Sequence, residues 1–99
     1  MVSVPRYLVQ RRFVDGLHIP VDEQGAKACE SVIDINAQEG VTWLHSYVSD
    51  DLGTTFCIYD GPNPEAIRAV AARNGLPVES VSRVRVLDPY FYRPSVVPS

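Results

Sequence analysis

"WLHSYVSDDLGTTFCIYD", residues 43–60, is the stretch whose register decides the fold. Two runs of β-branched, aromatic and polar residues flank the polar turn "DDLG", the pattern of a β-hairpin. The stretch also sets His45 and Cys57 on either side of one turn. Side chains alternate between faces along a strand. In the first arm Trp43, His45 and Tyr47 therefore share one face, and Leu44, Ser46 and Val48 the other. In the second arm Thr55, Cys57 and Tyr59 share one face, and Phe56 and Ile58 the other. A helix layer on one side of the hairpin favours the apolar set, Leu44, Val48, Phe56 and Ile58. Directly opposed residues share a face, so this choice pairs residue numbers with even sums. A three-residue turn then sets His45 opposite Cys57; a five-residue turn sets Tyr47 there, with His45 one diagonal away. Both bring His45 and Cys57 together on the helix-free face, within cross-strand reach. A one-residue slip would expose four apolar side chains, at about 1.5–3 kcal/mol each.

Working outward, "RYLVQRRFV" (6–14) reads as a strand, followed by the loop "DGLHIPVD". Residues 22–40 form a helix capped by Asp22, with Gly40 past its end and Ala26, Cys29, Ile33 and Ala37, beside Val32, as its apolar stripe. A second helix spans 63–75, with Asn63 as cap and Pro64 at its first position; Ile67, Val70 and Ala71 face the core. "SVSRVRVL" (80–87) is the last strand. The order βαββαβ predicts an α+β, ferredoxin-like fold, a four-stranded antiparallel sheet with two helices on one face. It is expected to occupy residues 1–88, with 89–99 as a proline-broken aromatic tail that cannot be helix.

Tyr7, Val9 and Phe13 suit the helix side of the first strand, which turns Leu8, Gln10 and Arg12 outward. In the last strand Val84 and Val86 are expected inward, and Arg83 and Arg85 outward. The helix-free face then carries Trp43, His45, Tyr47, Cys57 and Tyr59 with several arginines. So much aromatic surface predicts a cover, either a second copy of the chain or the tail segment "PYFYRP".

With 99 residues, 45% hydrophobic and 21% charged, the chain makes one globular domain. A net charge of −3 gives no global attraction to nucleic acid or anionic membrane. No apolar run reaches the length of a membrane span, and the start lacks the order of a secretory signal. Two cysteines make no disulfide framework, which points to the cytoplasm, and they exclude a four-thiolate iron–sulfur cluster within one chain. The topology is shared with RNA-recognition domains, but the third strand lacks their glycine–aromatic signature, and no nucleic acid partner is expected.

Imidazole and thiolate together suit nickel, zinc or copper. Two donors do not close a site, so the remainder must come from His18, a carboxylate, Tyr47, water or a second subunit. The spacing matches neither zinc-finger nor zincin patterns. From the residues alone, a structural histidine and an inert thiol outweigh a metal site, because free cysteine is commonly a small core hydrophobe. A Cys–His nucleophile and base lacks a third residue to orient the imidazole.

"RYLVQRRF", "GVTWLHSYVSDD", "TFCIYDGPNPEAIR" and "NGLPVESV" together resemble a family of small bacterial proteins, long catalogued as a domain of unknown function. One branch is nickel-binding, ferredoxin-like and dimeric. The likeness runs from about residue 5 to residue 88. Cys57 and Tyr59 match its cysteine–tyrosine pair, Tyr47 the tyrosine of its "SYV", and His45 the variable position before Ser46. The resemblance implies the fold and ranks nickel above zinc. The leading expectation is a non-enzymatic cytoplasmic homodimer, or larger assembly, that binds a divalent transition metal. Its ligands would be His45 and Cys57, with His18 as a further one and Trp43, Tyr47 and Tyr59 as walls. The alternative is a dimeric α+β barrel enzyme for a small hydrophobic or anionic substrate, with His45 as base and arginines holding the anionic group. A third reading keeps the open face as an interface only.

Overall fold

Side-chain oxygens start both helices where the sequence places them. Asp22 Oδ1 accepts from the N–H groups of Gln24 and Gly25, opening α1 (Glu23–Gln38). Asn63 Oδ1 accepts from Ala66 N–H, opening α2 (Pro64–Arg73), with proline at the position whose N–H is dispensable. The strands are β1 (Arg6–Arg12), β2 (Thr42–Val48), β3 (Thr54–Asp60) and β4 (Ser80–Val84). This computed structural model describes residues 4–18 and 22–92. The sheet order is β2-β3-β1-β4 with every neighbouring pair antiparallel, so the chain has the ferredoxin-like α+β fold. Among the described residues no helix is long and apolar enough to cross a membrane.

Two ends differ from expectation. β4 leaves the sheet after Val84, and Val86 is exposed rather than inward. The tail begins with a 3-10 helix, Pro89–Tyr92, so proline does not keep it irregular there. Residues 93–99, and with them the end of "PYFYRP", lie outside the described residues, as do 19–21 of the first loop.

The core lies on the helix side of the sheet. Tyr7 and Val9 of β1, Cys57 and Tyr59 of β3, Val41, and Ile67 and Val70 of α2 are all buried; Trp43, Val78 and Val81 pack around them. Gly61 lets α2 approach the chain end of β3, since a Cβ there would sit 2.9 Å from Ile67 Cδ1. The inward stripe of α1 runs through Gly25, Cys29, Val32 and Asn36, while Ile33 is half exposed. The stripe therefore lies about one residue around the helix from the expected one. Arg73 ties the C-terminal ends of the helices, donating to Gln38 Oε1 at 2.6 Å and Glu39 Oε1 at 3.3 Å.

The hairpin register departs from expectation. Ser49 N–H donates to Thr54 O and Leu52 N–H to Ser49 O. Asp51 Oδ1 accepts from Ser49 Oγ and Gly53 N–H. These bonds close a four-residue turn, with Leu52 in the left-handed region at φ 62°. Neither a three- nor a five-residue turn is present. Val48 pairs with Thr55, Tyr47 with Phe56, Ser46 with Cys57 and His45 with Ile58, all odd sums. A bulge between Trp43 and His45 then restores an even sum, and Trp43 pairs with Tyr59. Bulges suit edge strands such as β2, where the extra residue meets no further neighbour.

Candidate functional site

Register fixes the faces. Cys57 opposes Val9 and Tyr59 opposes Tyr7, so both point under the helices. His45 opposes Ile58 and therefore points to the helix-free side. His45 and Cys57 are on opposite faces of the sheet, which overturns the expected pair. Trp43 and Tyr59, expected as walls of an open-face site, are also on the helix side. Trp43 is half-buried there and donates from Nε1 to Ser46 Oγ at 2.8 Å. Cys57 is 5% exposed, with its thiol 3.6 Å from Thr55 Oγ1. Tyr47 does lie on the open face, where His45 meets its ring edge-on with centroids 5.2 Å apart. His18 belongs to the loop after β1, its Nε2 2.9 Å from the Asp15 carbonyl oxygen.

The three expected ligands thus occupy three places. Among the described residues no group of three His, Cys, Asp or Glu side chains is placed to hold a metal ion. The residues of one chain do not fit a closed metal site.

Phe56 and Ile58, expected under the helices, face the other way. Leu8 opposes Ile58, Gln10 opposes Phe56 and Val84 opposes Arg6, so Leu8, Phe56, Ile58 and Val84 share the helix-free face, all half-buried. Val84 is out and Arg83, paired with Tyr7, is on the helix side, the reverse of the expected parity. The open face is apolar at its centre, with His45 and Tyr47 exposed on the edge strand.

Arg11 went unnoticed in the sequence. It is 2% exposed in the core, its Nη1 donating to Pro77 O at 2.8 Å and its Nη2 to the Tyr59 hydroxyl at 3.1 Å. Its Nε is buried without a hydrogen-bond partner. The signal was available, because the alternation that turns Tyr7, Val9 and Phe13 inward must also turn Arg11 inward. Arg11 lines a cleft of about 550 Å³ between α1 and the sheet, together with Cys29, Trp43, Cys57 and Tyr59.

Burial pushes the Tyr59 phenol above its ordinary value; the Arg11 guanidinium pulls it back and Cys57 raises it. A phenol raised in the folded state keeps its proton when the unfolded chain loses it. Its stabilising contribution is intact below about pH 10 and is lost as pH rises through the folded value. Near-ultraviolet titration should show a late phenolate step that disappears in Tyr59→Phe. An unchanged late step in that variant would mean that Tyr59 is not the buried phenol.

The nickel responsive protein SCO4226-like family matches residues 7–84. Among solved structures, that of SCO4226 from Streptomyces coelicolor A3(2) matches with a TM-score of 0.66 at 22% identity. The match covers 84% of this chain and 99% of that one. At that identity the likeness speaks for the fold. No curated protein matches the chain. A family match over most of the chain, on a sheet and helix order shared with that crystal structure, places it: this chain belongs to the nickel responsive protein SCO4226-like family.

Proposed function

We propose that the chain is a non-enzymatic cytoplasmic protein that binds nickel or a like divalent ion between two of its own copies, with His45 as the donor from each. The family supports the nickel part of this reading. The observation that carries the two-copy site is the helix-free face, where half-buried Leu8, Phe56 and Ile58 lie beside exposed His45 and Tyr47. Half-buried apolar groups on a helix-free sheet face favour association with a like surface. A two-fold pairing through that face presents two imidazoles where one chain presents one. Cys57, under the helices, takes no part.

Nickel titration calorimetry on protein without an affinity tag tests this. His45→Ala is expected to weaken binding at least about ten-fold, and Cys57→Ser to leave it within about two-fold. Affinity should fall as the medium is acidified, because a ligating imidazole must be neutral. Loss of binding in Cys57→Ser with retention in His45→Ala would reverse the assignment.

A further inference from the structure

The helix side of the sheet carries a second feature, independent of the metal reading. The cleft beneath α1 has a volume of about 550 Å³, within the range of small-molecule sites. Trp43, Val32, Ile35 and Leu76 give it an apolar wall. Two charged residues line it, Arg11 and Arg73, and no aspartate or glutamate does. In a chain of net charge −3 this is a local inversion of sign.

Arg73 is occupied outside, on Gln38 and Glu39. Arg11 is different. Among the described residues its hydrogen-bond partners are a carbonyl and a phenol, both neutral, and its Nε has none. A guanidinium keeps its charge in proteins, and a buried cation without a counter-charge is costly. Proteins normally resolve that cost with a carboxylate, which guanidinium geometry matches well. Among the described residues no such group meets Arg11. The Tyr59 hydroxyl accepts from Arg11 and sits beside the Cys57 thiol, and Thr55 adds another hydroxyl on the same wall.

We propose that this cleft binds a small organic acid, a monocarboxylate with an apolar body. The carboxylate is drawn to the Arg11–Tyr59 end and the body lies against Trp43 and α1. One cation beside one phenol suits a single negative charge better than a dianion.

Trp43 is the only tryptophan and lines the cleft, so its fluorescence reports occupancy directly. Octanoate, octanol and octylamine share an apolar body and differ in the head group. Octanoate is expected to bind the wild-type protein saturably, at least about ten-fold more tightly than either of the others, since opposite charge is rewarded and like charge penalised in a buried site. Val32→Phe, which fills the cleft, should abolish octanoate binding. Arg11→Met should remove the preference for the acid. Equal binding of all three compounds would overturn the proposal. So would no saturable change at millimolar octanoate, or full affinity in Val32→Phe. The wild-type head-group series and Val32→Phe decide the matter even if Arg11→Met fails to fold.

Discussion

Replacing Ile67 by alanine is expected to destabilise the fold by about 2–5 kcal/mol, lowering the thermal midpoint by roughly 10–30 °C. Ile67 is fully buried, and it sits where α2, Val41 and the end of β3 meet. The close approach at Gly61 shows how little slack that seam has: a single added carbon would already touch the Ile67 δ-methyl. A rigid seam collapses poorly around a deletion, so the cavity adds to the lost transfer energy. Against a total stability of about 5–15 kcal/mol the loss is large. Ile67→Val, which removes one methyl group, should cost only about 0.5–1.5 kcal/mol. Denaturation is to be compared at one protein concentration, because association adds to apparent stability. A midpoint for Ile67→Ala within a few degrees of wild type would mean that α2 is not seated on the sheet as described.

Local chemistry made most of the fold legible. Asp22 and Asn63 are good caps in any context, Pro64 belongs at a helix start, and Ile67, Val70 and Ala71 share a helical face. The strands of the hairpin were equally plain. What separated His45 from Cys57 was a register, and one turn decides a register. The bonds of Ser49 and Asp51 make a four-residue turn out of "DDLG", and Leu52 takes the left-handed position while Gly53 beside it does not. A leucine there announces nothing, since such residues rarely adopt positive φ. The Trp43 bulge is also silent in the sequence, although it alone returns the indole to the core.

The composition of the core differs too. A helix layer over Leu44, Val48, Phe56 and Ile58 would require Phe56 and Ile58 to outcompete Cys57 and Tyr59 for burial. In this domain a cleft remains between α1 and the sheet, and long amphipathic side chains line it. Arg11 donates to the Tyr59 hydroxyl there, so the phenol is buried with a polar partner while Arg11 Nε stays unpaired. Phe56 and Ile58 are displaced to the other face. The helix-free face is therefore apolar, but through Leu8, Phe56, Ile58 and Val84 in place of Trp43, Cys57 and Tyr59. The candidate donors changed with it: His45 remains on that face, Cys57 leaves it, and His18 joins neither.

That exchange of residues makes Ile58 the most sensitive position for self-association. The wild-type chain is expected to sediment at twice its 11.0 kDa mass at micromolar concentration, and Ile58→Glu as a monomer. Ile58 lies on β3, a central strand, between Leu8 and His45 on the open face. By two-fold symmetry a substitution there places two carboxylates in one interface. Burying such charges without partners costs several kcal/mol, so the dimer affinity should fall about 100-fold or more. In the monomer the same carboxylate faces water, and the fold should persist by circular dichroism. Ala69→Glu, on the exposed side of α2, should leave the dimer intact. The variant also separates two ways of holding an ion. If nickel needs an imidazole from each copy, Ile58→Glu loses nickel affinity at least about ten-fold although His45 is untouched. If the monomeric variant keeps full affinity, the ion is held within one chain, and the two-copy site is wrong even where the dimer is right.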